Sequence, residues 1–397
     1  MNNKKKVIII SSLAVLTILG ILTVICISKI KEMNNSNDDN DVMITDDNLI
    51  VQSVSSFHDG LAVIKVNNKY GYINKKGKIK IKPIYSYADN FNEGFALACK
   101  AKEEIHRCGY INTDNNPIID FEYESGSIKQ ERIRNKTQVK DGLVLVKDTS
   151  KEAIFDTSGK QLSPFYYNKV VILGEDGIVA ISNDDSEEKK YTIVNAKDDF
   201  KPITDEKFDV VLHCSNGMCA VGMQKSKNEV VYQYIDYEGK TVSNYNNNHY
   251  LYKFNSKGIV QAEQDGKLVF INKTGELVTD KFYDRNYGEC EDEGCLVYNE
   301  DSMIVGIDEY GKEMFQLSEK YSIVRAFTDG YALIEKYNSE TRENEYFYIS
   351  KKGTIDLGPY MHASPFSDGY ALVKDQKNSF YFINTKGEKV IEGKYVE

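Results

Sequence analysis

The stretch Phe57-His58-Asp59-Gly60-Leu61-Ala62-Val63 decides the fold, because it recurs. Its clearest copies are Phe91-Asn92-Glu93-Gly94-Phe95-Ala96, Phe327-Thr328-Asp329-Gly330-Tyr331-Ala332 and Phe366-Ser367-Asp368-Gly369-Tyr370-Ala371. Weaker copies place the same glycine at Gly142, Gly177, Gly217, Gly258 and Gly294. The nine glycines are separated by 34, 48, 35, 40, 41, 36, 36 and 39 residues, a period near 39. A period in that range marks a repeat array, so the 397 residues are read as one array before any division into domains.

Working outward from the motif, each copy carries a second punctuation. An aromatic-aliphatic strand ends in Asn, Asp or Ser with glycine three residues on, as in Tyr72-Ile73-Asn74-Lys75-Lys76-Gly77 and Phe382-Ile383-Asn384-Thr385-Lys386-Gly387. That chemistry suits a hairpin built on a type I turn with a left-handed residue. The two copies without glycine have Asn115 and Asp198, from the residue types that reach positive φ most readily after glycine. A further strand follows, such as Lys78-Ile79-Lys80-Ile81, alternating polar and apolar side chains. Each repeat therefore reads as a three- or four-stranded antiparallel meander, and the chain from 49 to 397 as all-β. Tyr 28 and Phe 17 against Pro 6 agree with strands.

At these residues the chain resembles the WG-repeat family of bacterial proteins, with Tyr70-Gly71-Tyr72-Ile73-Asn74 where the family has Trp-Gly-Tyr-Ile-Asp. The resemblance spans about residues 49–397 and departs at its name. There is no Trp, Cys108 holds that place in the second copy, and the glycine survives only as Gly71 and Gly109. The family implies an all-β array, often exported or surface-attached, with no general catalytic activity and no particular ligand. Two architectures fit. The unequal intervals and the count of nine favour an open curved solenoid, whereas the offset between Leu49–Phe57 and Lys394-Tyr395 suits a β-propeller whose first strand completes the last blade.

The amino terminus gives an address. Residues 1–6 include Lys4, Lys5 and Lys6, and Val7–Ser28 are 22 uncharged residues, enough at about 1.5 Å each to span a core of about 30 Å. A cleaved signal peptide has a shorter apolar region, about 7–15 residues, and a small-x-small site that Cys26-Ile27-Ser28 does not offer. Residues 7–28 are therefore read as a transmembrane signal-anchor helix with a cytoplasmic amino terminus. Residues 29–48, with Asp38, Asp39, Asp41, Asp46 and Asp47, form an acidic linker, and the repeat domain occupies 49–397 outside the membrane. The other six cysteines fall in local pairs, Cys99/Cys108, Cys214/Cys219 and Cys290/Cys295. Disulfides in an oxidising compartment account for close pairs; a zinc site would have to bring together pairs about 75 residues apart.

Chemistry finds little purchase. The net charge of −10 argues against a nucleic-acid partner. His58, His106, His213, His249 and His362 lie in no H-E-x-x-H, and neither G-x-S-x-G nor a phosphate-cradling loop occurs. No catalytic residue, metal ligand or cofactor is assigned. Asp59, Glu93, Asp141, Asp176, Glu293, Asp329 and Asp368 recur at one place, as turn residues or as a rim of carboxylates. Tyr70, Tyr72, Tyr110, Tyr234, Phe270, Tyr348, Phe380 and Phe382 are core between repeats or stacking surfaces for sugars. The insertion Ser125–Val139, with Lys129, Arg132, Arg134 and Lys136, is a solvated loop or a contact site. The expected function is a non-enzymatic scaffold on the outer face of a bacterial plasma membrane, binding protein or cell-wall glycan. The alternatives are a structural spacer or self-assembling component and, third, a cell-wall hydrolase.

Overall fold

The computed structural model describes residues 49–396 apart from 103–104, 125–138, 149, 175, 185, 187–188, 228, 242–250, 287–288, 291 and 376–378. The expected membrane span, the acidic linker, His249 and the basic insertion therefore lie outside the described residues. No helix among the described residues is long and apolar enough to cross a membrane.

Nine antiparallel sheets follow one another along the chain, one per repeat. The first is typical: Ser53–Val54, Leu61–Val66, Lys69–Asn74 and Ile79–Tyr85 lie side by side in sequence order. Tight turns explain that order. Asp59 and Gly60 both have positive φ (50° and 81°), and His58 and Leu61 exchange backbone hydrogen bonds across them. This is a two-residue loop, and its twist matches that of the strands it joins. The second turn closes with Gly77 N–H donating to the Asn74 carbonyl, Gly77 being left-handed at 73°.

The nine motif glycines all have positive φ. Two copies depart in detail. In the sixth the turn is one residue longer, Asn255 to Gly258, and lacks the acid. In the fourth the expected left-handed Asp198 is not so; Asp199 and Phe200 are, at 48° and 57°. The turn there closes through Lys201 N–H to the Asp198 carbonyl, which moves the left-handed positions along by one.

Successive sheets pack face to face through apolar clusters that each draw on two neighbours. One joins Leu61, Val63, Tyr72 and Ile81 of the first sheet to Ala88, Ala96, Ala98 and Ile111 of the second. The open solenoid is corrected by the ends of the chain. Leu49–Val51 pairs in parallel with Lys389–Tyr395, with Leu49 opposite Gly393 and Val51 opposite Tyr395. The ninth sheet already has four strands of its own, so the first strand is added as a fifth rather than filling a gap. The nine sheets thus close into a ring, the propeller alternative. Repeat intervals of 34 to 48 residues do not prevent closure, because the extra length falls between strands.

Candidate functional site

The rim built by the motif turns is where the recurring acids meet. Six of the seven recurring carboxylates reach the next turn along the ring, and Asp176 stands exposed. Gly94 N–H donates to Asp59 at 2.7 Å, Gly142 to Glu93 at 2.9 Å, Gly177 to Asp141 at 2.6 Å, Gly330 to Glu293 at 2.8 Å and Gly369 to Asp329 at 2.7 Å. Gly60 N–H donates to Asp368 at 2.6 Å, and this last bond joins the ninth sheet to the first. A charged acceptor on an otherwise unpaired amide is among the stronger hydrogen bonds a turn can make. Two turns lack the acid: in the fifth, Asn216 stands in its place and donates from Nδ2 to the Asn255 carbonyl at 2.8 Å, and the sixth is held from the other side, Ser256 N–H donating to Asp292 at 2.6 Å.

Behind the rim runs a second series. In four repeats the central aromatic of the third strand packs on the motif phenylalanine of the next repeat. Ring centroids are 4.8 Å apart for Tyr72–Phe91, 4.8 Å for Tyr234–Phe254, 4.7 Å for Tyr348–Phe366 and 4.6 Å for Phe382–Phe57. Several phenols also bond forward: Tyr72 to the Asp89 carbonyl, Tyr110 to Leu145, Tyr234 to Tyr252 and Tyr348 to Ser364. Burial pushes the Tyr72 and Tyr348 hydroxyls up, so they remain protonated donors. Tyr72, Tyr110, Tyr234, Phe270, Tyr348, Phe380 and Phe382 are buried and only Tyr70 is partly open, so the structure places them in the core and not on a sugar-stacking face.

Where seventh, eighth and ninth turns converge, Asp292, Glu293, Phe327, Thr328, Asp329, Phe366, Ser367 and Asp368 line a hollow of about 300 Å³. Three of its four carboxylates are those already engaged with the next turn. Among the described residues no group of three His, Cys, Asp or Glu converges as a metal site. The histidines are scattered: His58 sits in the first turn, His106 Nδ1 lies 3.0 Å from Ser86 Oγ, and His362 packs on Tyr346. The acids act on backbone amides and serve as latches. Replacing Asp329 with Ala is expected to cost about 2 kcal/mol, since it strands the Gly369 amide, while Asp329→Asn, which keeps an acceptor, costs less. Urea midpoints of the two variants test this; equal losses would remove the latch.

The six cysteines are joined as Cys99–Cys108, Cys214–Cys219 and Cys290–Cys295, in the second, fifth and seventh repeats. The first two pairs are direct cross-strand partners. Each bridge stays within one repeat, Cys290 lying in the connection before the strand of Cys295, and leaves the joints between sheets to packing and hydrogen bonds.

Three features escape repeat logic. Glu152 is buried, and accepts from Val170 N–H at 2.6 Å and from Lys169 Nζ at 3.4 Å. It occupies the strand position of Tyr70, and its one signal was an acid where other copies put aromatics or aliphatics. His213 is largely buried and donates from Nε2 to the Leu251 carbonyl. The third concerns glycine. A Cβ on Gly71 would lie 2.6 Å from the Ile81 carbonyl oxygen, and one on Gly109 2.3 Å from that of Ile119, because the fourth strand crosses close to the third. In the eighth and ninth repeats Phe347 and Tyr381 stand there instead. The small residue has moved to the fourth strand: Gly358, whose Cβ would meet the Tyr346 carbonyl at 2.7 Å, and Gly393, whose Cβ would meet the Phe380 ring at 2.3 Å.

Nine sheets closed by terminal strand pairing, seven of their joints latched by a carboxylate on a turn amide, define a ring-forming β-repeat protein. A family model described as WG containing repeat matches residues 49–70, 70–102 and 109–127. No curated protein matches it in sequence. Among solved structures it is similar to a eukaryotic initiation factor, at 8% identity and TM-score 0.46 over 91% of this chain and 92% of that one. It is also similar to BamB from Moraxella catarrhalis, at 12% identity and TM-score 0.34 over 80% and 93% of the two chains. PorZ, a surface component of the type-IX secretion system of Porphyromonas gingivalis, matches at 10% identity and TM-score 0.30 over 88% and 53%. None of these likenesses bears on what this chain binds.

Proposed function

We propose that the protein is a non-enzymatic scaffold, tethered to the outer face of a bacterial plasma membrane by residues 7–28, which presents a rigid β-ring to protein or cell-wall partners. The observation that carries this reading is the set of three disulfides, each closed within its own repeat. Such bonds persist in oxidising compartments and are rare where thiols are kept reduced. The assignment of the recurring acids and aromatics to latching and packing supports a scaffold over a hydrolase, which needs two carboxylates in different environments. Alkylation of the full-length protein in intact cells with a permeant thiol reagent tests the compartment. Cys26 alone is expected to label before reduction and six further thiols after it; labelling of all seven at once sinks the extracytoplasmic reading. Co-sedimentation of the protein with purified cell walls, against capture of protein partners after surface cross-linking, then separates the two partner classes.

A further inference from the structure

The net charge of −10 conceals a strong asymmetry around the ring. Residues 49–86 hold seven lysines and a single acid, Asp59, whose carboxylate is taken by the Gly94 amide. Residues 284–320, on the seventh sheet, hold eleven acids against Arg285, Lys312 and Lys320. The lysines of the first sheet are concentrated. Lys76, Lys78, Lys80 and Lys82 occupy alternate positions from the second turn into Ile79–Tyr85, and all four are exposed. That strand is the last of its sheet, so its outer edge is not covered by a further strand of the sheet. Lys80 shares its charge with Asp114, 2.8 Å away and itself 70% exposed. Lys75 is occupied differently, donating to the Asp368 carbonyl and lying over Tyr370. Lys76, Lys78 and Lys82 have no ion-pair partner among the described residues.

We infer that this strip is a binding track for a linear phosphodiester polymer of the polyol-phosphate class. Lys80 and Lys82, alternate residues of the strand, stand about 6.7 Å apart, and Lys76 and Lys78 carry the basic strip back through the turn before it, so a flexible polymer with a charge on every repeat can meet the four ammonium groups in succession. Lysine suits the task as a compact point charge that needs no fixed hydrogen-bond geometry. A narrow strip of cations along one strand and its turn matches a polymer better than a bilayer, which would call for a basic plane, and the acidic remainder of the ring limits how much of an anionic surface it could face. The inference names a partner for the scaffold proposed above, and rests on that reading only for where such a polymer would be met.

The test is binding of full-length protein in detergent micelles to poly(glycerol phosphate) of defined length, across a salt series. Three to four lysines on a flexible polyanion give an expected slope of log K against log salt of about −2 to −3. Changing Lys76, Lys78 and Lys82 together to Gln is expected to weaken binding about 100-fold, roughly a factor of five for each lysine. Changing the exposed Lys207, Lys225 and Lys227 of the fifth sheet to Gln is expected to leave it nearly unchanged. Equal losses in both triple variants, or no salt-dependent binding, overturn the track. So does binding to phosphatidylglycerol vesicles without binding to the polymer, or salt-sensitive self-association lost in the first variant, which would give the strip to a second copy. All these measurements are made on purified protein, so a failed compartment assignment in cells leaves them standing and is recognised separately.

Discussion

Phe57→Ala is expected to destabilise the protein by about 3–5 kcal/mol and to open the ring locally at the joint between its ninth and first sheets. The energy follows from a fully buried aromatic ring that packs on Phe382 at 4.6 Å and Tyr370 at 5.4 Å. The locality follows from the chain. At the other joints the last strand of one sheet runs on covalently into the next, within a single residue where Tyr85 leads through Ser86 into Tyr87 and where Tyr360 leads through Met361 into His362. At the ninth-to-first joint the chain crosses as well, Val51 leading through Gln52 into Ser53, but the crossing strand is joined to the ninth sheet's own strands by hydrogen bonds alone. This joint is held by three strand pairs at Leu49–Val51, by Asp368 on the Gly60 amide, by Ser367 Oγ donating to the Phe57 carbonyl at 2.6 Å, and by the Phe57 cluster. Hydrogen exchange should therefore speed up in Phe57→Ala at residues 49–66 and 379–395 before it does elsewhere. Phe366→Ala removes the equivalent ring between the eighth and ninth sheets, where the eighth sheet's own last strand runs covalently into the ninth, and is the control. Matching exchange profiles in the two variants would mean that the closing joint does not open by itself.

That joint was the part of the fold least legible in the sequence. Repeat number, strand order and both turns follow from spacing and turn chemistry, which are local: Asp-Gly needs two left-handed residues wherever it stands. Closure depends on whether residues more than 300 positions apart meet, and nothing in the period decides it. The recurring acid was legible as a turn residue, yet its second task is not local, since Asp59 acts on Gly94 and Asp368 on Gly60. The departures from the family pattern were visible but not interpretable from one strand alone. Losing the glycine before Tyr348 and before Phe382 looks like decay until Gly358 and Gly393 are seen opposite. In the first, second, eighth and ninth repeats the crossing is met by one glycine in the pair of strands, on either strand. Glu152 and His213 break the pattern in single copies, so periodicity passes over them.

His213 leads to the other large effect. Its ring is held down to about pKa 4 mainly by burial, with Lys253 and Lys140 adding to the depression and the Leu251 carbonyl opposing it. The folded protein thus binds this proton more weakly than the unfolded chain, whose histidine titrates near 6.5. Stability associated with His213 is complete above pH 6.5 and is lost as the pH falls from there toward 4. A separation of that size corresponds to at most about 3 kcal/mol across the window. His213→Gln keeps a neutral donor near the Leu251 carbonyl and removes the titration. Urea midpoints at pH 7, 6, 5 and 4.5 should therefore fall more steeply for the wild-type protein than for the variant. Carboxylates titrate in both proteins, so the difference between the two curves isolates the histidine. Parallel curves would place the acid sensitivity elsewhere and show that His213 is protonated in the fold without cost. A variant less stable at pH 7 but flatter below it is the expected signature, because Gln packs less well than the ring it replaces while escaping its charge.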